Sequence, residues 1–598
     1  MFHGPGRTRD YLIATALLVA TFLIFWFSPV HQVTDSNYSM LLSDCLLRHR
    51  TFALDQCNVP ILEPKPLANY ITNGGIYQLE LVRNHVYYFF PVGSSVLSIP
   101  YVAVASLFGV SPRNADGSFN PLGEMEIELS LAALLMGLAT ALFFLIGRLI
   151  LPTTWSLLLA LAGSLGTQIW STASRGLWSH TWSAFLATIL IYLLVSQEKG
   201  RHRLRPVLMA TLLAWMYFVR PTNSVVILGV TVFIFVCYRK FFWPYLVTGM
   251  VWLPAFLYYS WHNFGRLFPN YYRADRLLFD VFPTALQGNL ISPSRGLLVF
   301  VPVVPFVAFL LIRYWKYRPL PRLTWLAMFV VIATLTIISG FGHWWGGASF
   351  GPRFSTDVVP WFVLLGAIGL HAMLNWRRQN QPSRLTWALQ MGVGAILLGA
   401  SVFINARGAL ALETWRWNPG DVSQMGNKLW DWRQPQFLAG LVPPPLDREY
   451  APITIGTEID FNRPEQSSKY LWYGWSGAED HYRWTEGREA TIVFALDRLD
   501  PLVLKMRVLP FIREGIWNRQ RIFVSLNGTL VDALILTENK ELEFSISLPE
   551  NLLRRENVLK FRIPDAASPE LLKISTDQRL LGFAVYWIKL EPNVKHVS

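Results

Sequence analysis

The sequence predicts an α-helical polytopic membrane protein of about eleven spans, followed by an extracytoplasmic all-β sandwich. Long apolar runs fill the chain between Tyr11 and Ile404, and basic residues fall into alternate gaps between those runs. Short alternating segments with turn signals begin at Ala451. Hydrophobic residues make up 52% of the chain and charged residues 15%, against about 45–50% and 25% in soluble domains. The 598 residues exceed one ordinary soluble domain, and segment 1–405 is too apolar to remain in water.

The net charge of +13 reflects topology. The basic gaps contain Arg148, Arg201, Arg239, Arg318 and Arg378. Short loops rich in lysine and arginine stay in the cytoplasm, so these gaps are predicted to lie inside and the other gaps outside. Positive charge beside spans indicates lipid head groups as the partner, and not nucleic acid.

Charge parity reduces twelve apolar segments to eleven spans. If all twelve crossed, the basic clusters after the second segment would lie outside. Segment 92–110 contains Pro100 and is predicted to be a helix at the outer surface; leaving it out returns every basic gap to the cytoplasm. The N-terminus is then inside, the C-terminus is outside, and 11–28 is predicted to be a retained first helix. The predicted spans are 11–29, 127–146, 155–170, 179–195, 207–219, 224–238, 241–261, 297–312, 323–341, 358–374 and 385–404.

The first outward loop, 31–126, is long enough to indicate a function. Asp35 follows the first span directly, and an amphipathic helix is predicted at 38–48. At the mouth of the membrane a carboxylate can serve as a general base. The alternative is that Asp35 caps the N-terminus of the amphipathic helix.

The same loop contains Cys45 and Cys57. Outside the cytoplasm they can form a disulfide, which would stabilise the loop by about 3 kcal/mol in the entropy model. Two free thiols are the alternative.

Two further outward gaps carry cations. Arg175 and His180 follow Trp170 in the second gap, and a forked guanidinium suits phosphate. An interfacial aromatic belt would explain the tryptophans there but not the two cations. Arg220 is at the tip of a hairpin whose first arm has only about 13 residues, roughly 20 Å by helical rise, so it is predicted to lie below the outer surface. Snorkelling to the head groups is the alternative.

The last outward motifs are 288–297, which contains Arg295, and the glycine-rich 341–354. The latter holds His343, Trp344, Trp345 and Arg353. Its glycines allow close approach of a ligand, its tryptophans can stack on a sugar or an isoprenoid, and its cations can bind phosphate.

Cations that share one membrane face repel one another unless an anion joins them, and a lipid phosphate is the anion that a membrane protein meets. At least two of the outward arginines are therefore predicted to converge with Asp35 on one cavity, with Arg353 beside Arg295 or Arg175 and with His343 flanking the site. The set considered is Arg175, Arg220, Arg295 and Arg353.

Segment 406–450 is predicted to connect the spans to the β-sandwich at 451–598. Alternating runs and the hairpin signal Asn527-Gly528 predict the sandwich. Trp472, Trp475 and Trp484 are predicted to stack on sugars, and an ordinary aromatic core is the alternative.

These motifs together resemble the GT-C superfamily of membrane glycosyltransferases, most closely bacterial relatives of protein O-mannosyltransferases and aminoarabinose transferases. The resemblance covers segment 1–405 and rests on the order of Asp35, 87–93, 170–180, 220–222 and 346–353. It implies transfer of a sugar from a polyprenyl-phosphate donor to a glycan, lipid or protein acceptor at the outer face of a bacterial inner membrane. Asp35 would be the base, the outer arginines would hold the donor phosphate, and no nucleotide or other cofactor is implied.

The chain also departs from that pattern. Ser36 stands where a second acid is usual, and Glu126 and Glu128 occupy a helix start where relatives often carry arginine. Glu128 is therefore a possible second acid. No external Asp-x-Asp pair occurs in the second outward loop, which argues against a metal-dependent oligosaccharyltransferase. A flippase for a lipid-linked glycan and a non-catalytic sugar-binding envelope protein are the alternative functions.

Overall fold

The computed structural model describes residues 6–57, 59, 76–201, 204–273, 277–418, 425–426, 428–442 and 449–593. The backbone divides into two compact units. The first is Met1–Asn418 with Met425–Leu441, and the second is Pro419–Gln424 with Val442–Ser598.

The first unit is helical, and helices occupy all eleven apolar runs predicted as spans and also the surface segment 92–110. Seven helices of the described residues are long and apolar enough to cross a membrane. The chain is therefore a multi-pass membrane protein, while the count of eleven crossings stays a prediction. The helices are α1 (Gly6–Trp26), α2 (Ser39–His49), α3 (Gly93–Leu107), α4 (Pro121–Arg148), α5 (Thr153–Leu165), α6 (Ser179–Glu198), α7 (Pro206–Val219), α8 (Ser224–Cys237), α9 (Arg239–Phe264), α10 (Phe282–Ile291), α11 (Leu297–Phe300), α12 (Val303–Arg313), α13 (Pro321–Ile338), α14 (Val359–Asn380), α15 (Arg384–Leu410) and α16 (Leu412–Arg416).

Two predicted spans are interrupted: in 155–170 the α-helix α5 ends at Leu165, and 297–312 is divided. Segment 297–312 consists of α11 and α12, with Val301 and Pro302 between them. Proline lacks the amide hydrogen that a continuous helix needs, so the helix stops before Pro302 and starts again at Val303.

Helix α1 packs along α4, and the two ends of this pair differ chemically. At one end Arg148 Nε and Asp10 Oδ1 form an ion pair of 2.9 Å. Towards the other end Ser36 Oγ donates to Glu128 Oε2 at 2.6 Å. The first end carries the residues predicted to be cytoplasmic, and the second carries the residues of the first outward loop.

The first outward loop contains α2, then a hairpin of two strands, β1 (Leu79–Val82) and β2 (His85–Tyr88), and then α3. A disulfide joins Cys45 to Cys57, which is one of the two alternatives that the sequence left open. Arg113 Nη2 forms an ion pair of 3.0 Å with the buried Asp44 of α2. Together these contacts fasten α2 to the loop that precedes α4.

The second unit contains two antiparallel sheets that contribute to one hydrophobic core. The strands, numbered in chain order, are β3 (Glu458–Asp460), β4 (Leu471–Tyr473), β5 (Trp475–Ala478), β6 (Arg483–Glu486), β7 (Glu489–Ala495), β8 (Leu502–Pro510), β9 (Gln520–Leu526), β10 (Thr529–Leu536), β11 (Leu542–Leu548), β12 (Glu556–Arg562) and β13 (Leu581–Pro592). One sheet has the strand order β10-β9-β12-β7-β4, the other has β11-β8-β13-β6-β5, and β3 pairs with β13. Strand β8 shows strict alternation of buried and half-buried residues, which is the pattern of a strand with one face in a core.

Much of the segment predicted as a connector belongs to the helical unit. Helix α15 continues to Leu410, and Met425–Leu441 clusters with the first unit. The buried Gln436 explains this, because its side chain accepts hydrogen bonds from Arg295 and from the amide of Gly351 and donates to the carbonyl of Ser349.

Candidate functional site

Asp35 follows the C-terminal end of α1, which is the end predicted to face outward, and each oxygen of its carboxylate has a partner. Oδ2 forms an ion pair with Arg353 Nη2, and Oδ1 accepts a hydrogen bond of 3.1 Å from the Tyr77 hydroxyl. The Tyr88 hydroxyl donates to the backbone carbonyl of Asp35 at 2.6 Å. These contacts hold the carboxylate in place. The Asp35 side chain is nevertheless 22% exposed, so solvent or a substrate can reach it.

Tyr77 is a hydrogen-bond donor throughout the physiological pH range. Tyr77 is 37% exposed; partial burial, and then the neighbouring Asp35 carboxylate, raise the pKa of its hydroxyl above its usual range. The Tyr77 ring also meets Phe90 edge-on, with centroids 6.2 Å apart, and Phe90 contacts Tyr271 at 5.5 Å. The base candidate therefore has an aromatic wall on one side.

The alternative role of Asp35, as the N-cap of the amphipathic helix, is wrong. The residue before α2 is Tyr38, in a left-handed conformation and without a side-chain cap. The amides of Met40 and Leu41 donate instead to the carboxylate of Glu124 on α4, at 3.1 and 3.3 Å. A carboxylate from another helix satisfies these amides, and Asp35 is left for the site.

Arg353 is the cation of the site. Its guanidinium carbon lies 3.3 Å from the ring centroid of Trp178, and its Nη1 donates to the carbonyl of Gly346 at 3.1 Å. Gly346 and Gly347 both have left-handed backbone conformations, with φ of 74° and 69°, which glycine adopts without strain. This turn therefore brings a carbonyl oxygen to Arg353, whose side chain is 9% exposed.

Behind Arg353 is a buried cluster of charged groups that centres on Asp357. Its Oδ2 pairs with Arg220 Nε at 2.7 Å and with His180 Nδ1 at 3.2 Å. Arg220 and Arg353 each lie 5.7 Å from the ring centroid of Phe354. Arg220 is thus buried in the protein, and snorkelling to the head groups is wrong. His180 Nε2 is also buried and has no hydrogen-bond partner among the described residues.

Asp357 and Tyr77 were not among the residues predicted for the site. A signal for Asp357 exists in the sequence, since it is the single acid directly before the apolar run 358–374 in an outward gap. An acid there, in a gap that also holds Arg353, needs a cationic partner once buried. Nothing comparable marks Tyr77.

Arg175 does not belong to the site, which corrects its prediction as a phosphate ligand. Its Nη1 donates to the carbonyl of Ser28 at 2.7 Å, its Nη2 donates to the carbonyl of Phe25, and its Nε donates to Ser174 Oγ at 3.2 Å. These carbonyls are at the C-terminal end of α1, where a helix leaves acceptors unpaired. Arg175 is therefore a buried cap of α1.

Arg295 donates hydrogen bonds to the backbone of the glycine turn. Its Nε donates to the carbonyl of Trp345 at 2.8 Å and its Nη2 to that of Gly347 at 3.2 Å, while Gln436 accepts from Nη1 at 2.6 Å. Burial, and then the charge of Arg353, lower the pKa of Arg295 to about 9. Arg295 is therefore near Arg353 but is occupied by neutral acceptors. The arginine that shares a ring contact with Arg353 is Arg220.

The three remaining residues of the glycine-rich motif have different environments. Trp344 is buried against α10, where its ring leaves no room for a side chain at Gly288, so it is a packing residue and the prediction of sugar stacking is wrong for it. Trp345 is half-buried, and its ring lies 5.1 Å from the exposed ring of His343. His343 and Trp345 stay candidates at the rim.

In the second unit, two of the three tryptophans predicted to bind sugar pack against other residues of that unit, Trp475 partly buried and Trp484 buried. The indole of Trp475 donates to the carbonyl of Thr491 at 2.9 Å and packs on Phe461. Trp484 is buried beside Phe511. Trp472 is half-buried and stays a candidate.

No protein-family model matches the chain, and no curated protein matches it. Several solved structures are similar to this one at low identity. ArnT from Cupriavidus metallidurans in the apo state is 14% identical over 67% of this chain and 71% of ArnT, with a TM-score of 0.39, and its structure bound to undecaprenyl phosphate covers 68% and 72% at 14% identity and a TM-score of 0.37. The Archaeoglobus fulgidus oligosaccharyltransferase is 12% identical over 73% of this chain and 62% of its own length, with a TM-score of 0.38.

A third protein, the arabinosyltransferase EmbB from Mycobacterium smegmatis, is 12% identical over 99% of this chain and 66% of EmbB, with a TM-score of 0.43. All three are GT-C glycosyltransferases. With TM-scores below 0.5, these likenesses carry no weight for the chemistry, which rests on the site geometry. The chain is similar to GT-C glycosyltransferases, the superfamily that its outward motifs resemble.

Proposed function

We propose that this protein transfers a glycosyl unit from a polyprenyl-phosphate donor to an acceptor hydroxyl at the outer face of the membrane. The observation that carries the proposal is the contact between Asp35 and Arg353. A carboxylate is the usual general base for a hydroxyl, and a guanidinium is the usual ligand of a phosphate. Here the two groups meet at the outward end of α1, beside aromatic side chains that can contact a sugar or an isoprenoid.

The reaction uses the two groups in one displacement. Asp35 takes the proton of the acceptor hydroxyl, the acceptor oxygen forms a bond to the anomeric carbon, and the bond from that carbon to the phosphate oxygen breaks with inversion. The electron pair of the broken bond stays on the phosphate. Arg353 stabilises the charge that develops there, and the carboxylate of Asp357 holds Arg220 behind it.

The pair must open before the reaction. Both Asp35 oxygens already accept a hydrogen bond, from Arg353 and from Tyr77. A donor phosphate offers Arg353 an alternative anion of greater charge. Binding of the donor therefore releases Asp35 towards the acceptor, which predicts that the donor binds first.

The test is Asp35→Asn, because an amide keeps the shape and loses the base. We expect donor binding and folding to be retained and transfer to fall at least about 100-fold. Asp116→Asn is the matched control, since it makes the same change at an exposed position of the same outward loop. Products would be followed by mass spectrometry of glycolipids and polysaccharides from a deletion strain that carries each variant.

Near-normal transfer by Asp35→Asn would remove Asp35 from the mechanism. A flippase needs no base at this position, so a wild-type protein that moves the lipid-linked glycan across the membrane without glycosyl transfer would favour that alternative function.

A further inference from the structure

Glu128 lies on α4, beneath the site, and is fully buried. One of its oxygens, Oε2, accepts two hydrogen bonds from two different segments. Ser36 Oγ donates to it at 2.6 Å, and the backbone amide of Leu177 donates at 3.3 Å. Ser36 and Leu177 are 141 positions apart in the sequence, so a single oxygen atom joins two distant parts of the chain.

Each of the two segments carries one half of the site. Ser36 directly follows Asp35. Leu177 directly precedes Trp178, whose ring lies 3.3 Å from the guanidinium carbon of Arg353. Movement at Ser36 would shift the carboxylate, and movement at Leu177 would shift the surface on which the guanidinium rests.

We propose that Glu128 is a positioning residue that holds Asp35 and the Trp178 surface in register. The proposal rests on the function proposed above and assigns Glu128 a role other than a second acid. A substrate hydroxyl would have to displace Ser36 and Leu177 to reach Oε2, and Oε1 is buried without a hydrogen-bond partner among the described residues, whereas the side chain of Asp35 is partly exposed.

The neighbouring acid on α4 supports this role. Glu124 is four residues earlier, on the same face of the helix, and its carboxylate accepts from the amides of Met40 and Leu41. The two carboxylates therefore fasten the chain on both sides of Tyr38. The contacts of α4 thus fix the outward loop from Ser36 to Leu41 as one unit.

The experiment compares Glu128→Leu with Glu128→Gln. Leucine is of similar size and removes the acceptor, while the glutamine carbonyl can accept both hydrogen bonds and its amide can donate to the Ser39 hydroxyl, which lies beside Glu128. Glu126→Leu is the matched control, two residues away at an exposed position of α4. The readouts are hydrogen–deuterium exchange at residues 34–38 and 176–179, the kcat and donor KM of transfer, and the pH profile of kcat.

We expect Glu128→Leu to exchange at least about tenfold faster in both segments and to lose at least about tenfold in kcat, with Glu126→Leu like the wild type. Glu128→Gln should exchange like the wild type and keep its kcat within about threefold, with an unchanged pH profile. If Glu128→Leu does not fold, these values for Glu128→Gln still decide between positioning and acid chemistry.

Two results would overturn the proposal: wild-type exchange in Glu128→Leu, or loss of turnover in Glu128→Gln with normal exchange, which would make Glu128 an acid. The exchange measurement needs no substrate. If the wild type shows no transfer, the proposed function fails, and the exchange data still test whether Glu128 holds the two segments.

Discussion

Arg353→Lys keeps the positive charge of the site and removes its planar fork. In the structure one guanidinium bonds Asp35, bonds the carbonyl of Gly346 and lies on the ring of Trp178. A phosphate bound to Arg353 would accept two parallel hydrogen bonds from this planar fork while the guanidinium stays on Trp178, whereas an ammonium cannot do both. A hydrogen bond to a charged group contributes about 1.5–3 kcal/mol, and a cation–π contact contributes about 0.5–2 kcal/mol.

The loss of one such hydrogen bond and of the cation–π contact, each taken at its lower value, amounts to about 2 kcal/mol. This corresponds to about 30-fold in binding at 1.4 kcal/mol per tenfold. We therefore expect Arg353→Lys to bind polyprenyl phosphate about 30-fold more weakly, measured by native mass spectrometry on the purified protein in detergent. Arg377→Lys is the matched control, because Arg377 also lies on a tryptophan, 3.9 Å from the ring centroid of Trp387, at the other end of α14. Equal affinity of Arg353→Lys and the wild type would refute the assignment of the phosphate to Arg353.

Three further predictions concern other parts of the molecule. Arg175→Met should lower the thermal unfolding temperature, because the carbonyls at the end of α1 lose their hydrogen-bond donor at about 1–3 kcal/mol each. The folded fraction should keep its affinity for polyprenyl phosphate; a weaker affinity would mean that Arg175 is a phosphate ligand after all. Burial raises the pKa of Glu80 from 4.5 to about 7. The protonated, neutral carboxyl therefore stabilises the folded state; this contribution is complete below about pH 4.5 and is lost as the pH rises towards about 7. Glu80→Gln should abolish that decline in denaturant titrations, and an unchanged pH profile would contradict it. Reporter fusions after Arg205 and at the C-terminus should report opposite sides of the membrane, and the same side would overturn the topology.

The sequence located the helices well because a span is a local property. An apolar run of sufficient length forms a helix wherever its neighbours are, and every predicted run does so. The run 297–312 is broken at Pro302, and that proline is itself visible in the sequence, while in the run 155–170 the α-helix ends at Leu165. The sidedness of the charged gaps likewise placed Asp35 and Arg353 on the same face.

The direction of each side chain could not be predicted in this way. Arg175 and Arg353 look alike in sequence, as outward arginines beside tryptophan and glycine, yet one caps α1 and the other meets Asp35. The difference depends on which unpaired carbonyl or carboxylate lies within reach after packing. In the same way, Trp475 turns into the core of the second unit because of the register of β5, which a short segment does not specify.

The pairing of Asp35 with Arg353 joins residues 318 positions apart. During synthesis the carboxylate leaves the ribosome early, and its cation follows only when the chain has reached the start of α14. Until then, Asp35 lacks the cation that is proposed to bind the donor phosphate. If the proposed function is correct, a nascent or truncated chain that ends before Arg353 lacks the phosphate ligand, and transfer requires the nearly complete first unit.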